Sequence, residues 1–111
     1  MKQKPIHTYE ARAAVAKALA HPSRLMILEA LRDGERCVCE MTDIVQADQS
    51  TVSKHLAILR NAGLIEGRRE GVMTFYRRTC VCIDDFFACV ERILKQNLKR
   101  QQAAIGVELR R

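Results

Sequence analysis

A mainly α fold with one small β-hairpin is predicted for this 111-residue chain, and three observations carry the prediction. Four stretches between residues 8 and 62 repeat apolar side chains at helical spacing, with capping or breaking residues at their ends. The period then changes over residues 64–78, where β-branched, aromatic and apolar residues flank a glycine. A last amphipathic stretch returns to helical spacing. The expected order is α-α-α-α-β-β-α, in a single domain over residues 1–111.

The first helix is expected over residues 8–20, "TYEARAAVAKALA", which is rich in alanine. The second lies in "HPSRLMILEALRDG": Pro22 suits its first turn, Leu25, Leu28 and Leu31 recur at helical spacing, and Gly34 is placed to end it. A short third helix fits about residues 37–47, with Val38, Met41 and Val45 on one face. Asp48 is placed to cap a fourth, "DQSTVSKHLAILRNAG", whose buried stripe is Val52, Leu56 and Leu59 and whose stop is Gly63. These two helices and their tight turn, about residues 37–62, have the helix-turn-helix pattern. "LIEGRREGVMTFYRR", about residues 64–78, gives two strands turning near Glu70-Gly71. The final helix is expected over about residues 84–102, capped by Asp84 or Asp85, with Phe86, Val90, Ile93 and Leu94 as its stripe. A helix-turn-helix followed by a basic hairpin is a winged helix.

Hydrophobic content of 48% with 29% charged residues is that of a folded chain, and the absence of Trp leaves the core to aliphatic side chains. The net charge of +6 is uneven. Residues 33–48 set one Lys/Arg against five acids, whereas residues 49–78 set six against two. A basic block on the helix-turn-helix and hairpin points to a polyanionic partner. No apolar run approaches the ~18–20 residues of a membrane helix, and the start "MKQKPIHTYEAR" lacks the apolar segment of a secretion signal. A cytoplasmic protein with no membrane partner is expected, its thiols kept reduced. Five cysteines is an odd count, and a bridge across a C-x-C is expected to be strained.

With Val52, Leu56 and Leu59 turned inward, Gln49, Ser50, Thr51, Ser53, Lys54 and His55 populate the exposed start of the fourth helix. Short hydrogen-bonding groups and one cation suit base edges and phosphates, and a recognition helix enters the major groove of double-stranded DNA by this end. Arg68 and Arg69 stand before the hairpin tip and Arg77 and Arg78 after it, within reach of flanking phosphate. For any one of these arginines a solubilising surface charge is the plain alternative.

The stretches "LAHPSRLMILEALRDGERCVCEM" and "QSTVSKHLAILRNAGLIEGRREGVMTFYRR" together resemble the ArsR/SmtB family of bacterial winged-helix repressors over nearly the whole chain. The resemblance implies a homodimer joined by the first and last helices, about residues 8–20 and 84–102. It implies binding to a palindromic operator in the promoter of its own operon, no permanent cofactor, and release by an inducer. In that family "E-x-C-V-C-[DE]" marks soft-metal and metalloid sensors, and here it reads Glu35-Arg36-Cys37-Val38-Cys39-Glu40. Thiolates select thiophilic ions, and a helix N-terminus lowers a thiol's pKa. Cys37 and Cys39 are therefore the primary candidate ligands. Arsenic-sensing relatives often add a third cysteine where this chain has Thr42. Cys80, Cys82 and Cys89 are candidates for that role, from the same chain or its partner, or for a trithiolate site of their own. Cys89 shares a face with Phe86, Val90 and Ile93, which is equally the pattern of a small core residue.

Residues two apart on a helix diverge by about 200°, so both sulfurs are expected to share an ion only when the first turn is extended. Ligation would then reshape that turn and tilt the recognition helix behind it. Arsenite (As3+) is the favoured inducer, with antimonite, cadmium or zinc as alternatives, a lead sensor being of the same kind, and a thiol-redox repressor as another. A cadmium or zinc sensor would need a fourth ligand, and residues 1–36 hold no cysteine. The histidines of a last-helix zinc site are missing, since His7, His21 and His55 lie elsewhere, and Glu29 stands where persulfide sensors have a cysteine. A thiol enzyme would want a C-x-x-C after a strand or a cysteine beside a histidine base, and neither occurs.

Overall fold

The computed structural model describes residues 4–106, and these form two compact units that divide after Cys80. The first unit runs α1 (Ile6–Leu19), α2 (Pro22–Ala30), a 3-10 turn (Leu31–Asp33), β1 (Arg36–Cys37), α3 (Val38–Val45), α4 (Gln49–Asn61), β2 (Ile65–Glu70) and β3 (Met73–Arg78). The second holds α5 (Cys82–Ile105).

The helices stop and start where side-chain chemistry directs. Asp48 accepts from the Thr51 N–H at 2.8 Å and so caps α4 as expected. At the other end Gly63 takes a left-handed φ of 80°. The Gly63 N–H then donates to the Arg60 carbonyl and the Leu64 N–H to the Leu59 carbonyl, a Schellman closure. Between α3 and α4, Gln46 is left-handed and donates to the Thr42 carbonyl, which makes the tight turn of the helix-turn-helix.

The core is aliphatic. Ile27, Leu28 and Leu31 from α2 and its 3-10 extension, Met41 from α3, Val52, Leu56 and Leu59 from α4, and Ile65 from β2 are each at most 2% exposed. Fully burying each such side chain contributes ~1.5–3 kcal/mol, so this cluster fixes α4 against its neighbours.

The sheet is antiparallel in the order β1-β3-β2, with Glu70 opposite Met73 across a two-residue turn. Gly71, the first turn residue, has φ 62°, which a side chain would strain. The added strand β1 was not expected: two residues carry no readable period, and pairing with Tyr76 and Phe75 alone defines them. The last helix also departs from expectation. It begins at Cys82 with Val81 as N-cap, so Asp84 and Asp85 are not its caps but lie in its first turn, where carboxylates still favour the helix N-terminus. No helix of the described residues is long and apolar enough to cross a membrane.

Candidate nucleic-acid interface and thiol site

The start of α4 presents Gln49, Ser50, Thr51, Ser53 and Lys54 to solvent. The Asp48 cap orders this end, because the same carboxylate oxygen accepts from the Ser50 hydroxyl at 3.1 Å and from the Thr51 N–H. These bonds, that from Thr51 foremost, hold the Asp48 carboxyl below its usual range.

His55 faces elsewhere. It is half-buried, its ring centroid 4.5 Å from that of His21, and its Nδ1 accepts from the Arg24 guanidinium at 3.3 Å. A donor on Nδ1 leaves the proton on Nε2 in the neutral ring. Desolvation first, then the charges of His21 and Arg24, push its pKa below the ordinary histidine value. A lowered folded-state pKa means the unfolded chain takes the proton first as pH falls. Stability present at neutral pH is therefore expected to be lost below the usual histidine value of 6.5, down to the folded-state pKa, where the loss levels off. Thermal melts between neutral and mildly acidic pH, compared with those of His55→Gln, should show the variant with the shallower dependence.

The wing's charges are largely spoken for within the chain. Arg68 donates to Glu35 at 2.9 and 3.2 Å and to Glu70 at 2.6 Å, and its guanidinium lies 5.1 Å from the Phe75 ring centre. The bond from Arg68 holds Glu35 below the usual carboxylate range, and Arg68 is raised further in return. Arg77 pairs with Glu66, and the half-buried Arg78 donates to the Leu28 carbonyl at 3.2 Å. Arg69 is exposed and makes only a long bond to the Gly71 carbonyl, 3.4 Å, among the interactions of the described residues. Of the two arginines before the tip, Arg69 is thus the less engaged within the chain and Arg68 is held by acids. Neutralising both acids should release it. Glu35→Gln/Glu70→Gln is expected to tighten binding to double-stranded DNA a few-fold and to steepen the log-affinity against log-salt slope by about one unit, as one added phosphate contact does. Anisotropy titrations at several salt concentrations read both numbers.

The cysteine turn lies behind this wing. Cys37 is 4% exposed and pairs with Phe75 in the sheet, while Cys39 is exposed. Their side chains are joined as a disulfide, with Cα atoms 5.4 Å apart. The expectation was of reduced thiols here, with any bridge across the C-x-C strained; the structure holds the pair bridged. Cys37 is not a helical residue: it is the N-cap of α3, with extended backbone (φ −84°, ψ 167°), so its sulfur folds over the first turn toward that of Cys39. That separation lies inside the usual ~4.4–6.8 Å range for a bridge. Cys37 is extended, as the expectation that the sulfurs meet only outside a helical turn requires, and α3 is helical from Val38. Glu40 fixes the turn by accepting from the Cys37 N–H at 3.2 Å and from Arg36 at 3.0 Å. Thr42, in place of a third cysteine, donates its hydroxyl to the Cys39 carbonyl at 2.7 Å.

Of the other cysteines, Cys80 and Cys82 are disulfide-bonded, and Cys89 is free and exposed, which sets aside the core alternative for it and leaves the ligand one. Among the described residues no three of His, Cys, Asp or Glu are grouped to hold a metal ion. A cleft of about 320 Å³ opens beside Cys37 and Cys39, with Gln49 and Ser53 of α4 and Val72 and Tyr76 of the wing on its walls. Gly67 lets the Tyr76 ring lie across β2, because a Cβ there would meet Tyr76 Cε1 at 3.1 Å. Sequence reasoning had no signal for this cleft, whose walls come from α3, α4 and β3, segments distant in the chain.

Residues 21–66, from the start of α2 into β2, match the model of a family described as "Bacterial regulatory protein, arsR family". An uncharacterized helix-turn-helix-type transcriptional regulator of Methanocaldococcus jannaschii is 45% identical over 69 residues, 61% of this chain and 78% of that protein. The arsenic resistance transcriptional regulator ArsR1 of Pseudomonas putida is 45% identical over 64 residues, 57% of this chain but only 50% of its own length. The solution structure of a homodimeric winged helix-turn-helix DNA-binding domain from Mycobacterium bovis matches with a TM-score of 0.74 and 32% identity, covering 90% of this chain and 93% of that one. The fold is thus the winged helix-turn-helix expected, of a kind that regulates transcription rather than catalyses a reaction. The chain belongs to the arsR family of bacterial regulatory proteins.

Proposed function

We propose that this chain is a homodimeric cytoplasmic repressor that holds double-stranded operator DNA through the start of α4 and the wing and releases it when a thiophilic ion bridges Cys37 and Cys39. The observation that carries the reading is that both sulfurs adjoin in one cleft with Gln49 and Ser53 of the recognition helix. Two soft thiolates favour arsenite or antimonite over ions that demand four ligands, and arsenic is what the Pseudomonas putida relative is named for. Assembly through α1 and α5, about residues 8–20 and 84–102, is supported by the homodimeric Mycobacterium bovis domain and by exposed apolar side chains on α5, among them Ile93 and Leu94 at 51% and 60%. On this reading residues 1–111 act as one unit, with Cys80, Cys82 and Cys89 as secondary ligand candidates and no resident cofactor.

The test uses protein first reduced with a phosphine that is then removed, and follows release of a fluorescent promoter duplex titrated in parallel with arsenite, antimonite, cadmium, zinc and peroxide, at fixed salt because affinity falls steeply with ionic strength. Release by the metalloids at lower concentration than by cadmium or zinc is expected, and no response to any of them overturns the sensor reading. The Cys37–Cys39 bridge favours a second reading, a redox repressor. Two thiols and one peroxide would give the disulfide and two waters, and in the same titration peroxide alone would release the DNA.

A further inference from the structure

The thiol pair leaves an arsenic(III) centre one valence short. Cys37 and Cys39 supply two sulfurs, Thr42 supplies none and has its hydroxyl turned to the Cys39 carbonyl, and no third His, Cys, Asp or Glu joins them among the described residues. Arsenite would have to keep an oxygen there. An arsenical that already carries one carbon substituent has only two exchangeable positions, and two thiols satisfy it.

The structure also provides a place for the substituent. The cleft beside the cysteines has about 320 Å³ and is open to solvent on one side, with Val38, Met73 and Tyr76 as its apolar wall and Gln49, Ser53 and Thr74 as its polar one. A closed apolar cavity of about 150 Å³ is enough for a benzene ring. The opposite wall is Gln49 and Ser53, both among the candidates for base contact. We infer that the cleft is a binding subsite for the organic group of a monosubstituted trivalent arsenical, and that a filled cleft obstructs the DNA-reading face directly. The inference rests on the thiol-sensor reading above and names its ligand class.

The reaction balances without an oxidant. Two reduced thiols and R–As(OH)2 give R–As(S)2 and two waters, two As–O bonds being exchanged for two As–S bonds while arsenic stays trivalent. The bridged pair does not react this way, so the protein is first reduced with a phosphine.

The experiment compares arsenite, methylarsonous acid and phenylarsine oxide, on the full chain, for release of a bound duplex, with intact-mass detection of one adduct per chain as a second readout. Half-release is expected at a concentration at least tenfold lower for the phenyl compound than for arsenite, with the methyl compound between them. Thr74→Phe, which narrows the cleft from β3, should remove the phenyl advantage over methyl while leaving arsenite unchanged. Bound duplex should also slow alkylation of Cys39 by iodoacetamide in the reduced wild-type protein. Equal potency of phenyl and methyl compounds, or undiminished alkylation under saturating DNA, overturns the subsite, while release by arsenite in the same assay leaves the sensor reading standing. Failure of all three arsenicals to release DNA or to form adducts overturns both.

Discussion

The response to arsenite is expected to vanish in Cys37→Ser/Cys39→Ser, with DNA affinity in the absence of inducer held within about twofold. The substitution is unusually clean for a residue as buried as Cys37, which is 4% exposed. Cys37 is the N-cap of α3, and serine is among the preferred residues at that position, since its oxygen can accept from the first-turn N–H groups. The Glu40 carboxylate still receives the backbone N–H of residue 37, because that bond does not involve the sulfur. Cys39 is exposed, so its replacement disturbs little packing. What is lost is soft-ligand chemistry: hydroxyls do not replace thiolates toward a thiophilic ion. Effector couplings run about 1–3 kcal/mol, a change of about 5–150-fold in affinity, and that whole factor should disappear. Anisotropy titration of one duplex with both proteins, with and without arsenite, reads it. A variant that still leaves the DNA at the wild-type arsenite concentration would move the sensor to Cys80, Cys82 or Cys89.

What was legible in the sequence follows from the range of the interactions involved. The Asp48 cap and the Val52, Leu56 and Leu59 stripe are local, set within one helix by spacing and one side chain, and both stand as expected. The wing was legible for the same reason, through Gly71 and the strand composition on either side. The charge state of the wing was not. The pairing of Arg68 with Glu35, 33 residues before it in the chain, leaves no local signal in the sequence. His55 looked like part of the reading surface, and His21 and Arg24 across the α2–α4 contact instead take its ring. The thiol geometry turned on one residue of helix boundary. Counting Cys37 as helical put the two sulfurs on opposite sides, whereas its extended N-cap backbone puts them together. Boundaries of this kind are the least determined feature of a periodic pattern, because the cap residue belongs to neither period.

The largest stability effect is expected at Leu56. It is 1% exposed on α4, the helix that packs against α2, α3 and β2, so its truncation opens a cavity on the inner side of the recognition helix. Leu56→Ala should cost about 2–5 kcal/mol, the transfer free energy of the lost methyl groups plus the residual void. That is a large share of the ~5–15 kcal/mol by which domains of this kind are stable. In urea the midpoint should fall with the slope unchanged, since the surface exposed on unfolding is nearly the same. Lys54→Ala, two residues earlier and exposed, supplies the opposite signature: an unmoved midpoint, weaker DNA binding and a shallower salt dependence. The two variants together separate the faces of one helix. If Leu56→Ala left the midpoint in place, the inward stripe on which the orientation of Gln49 and Ser53 depends would be wrong, and with it the assignment of the DNA-facing surface.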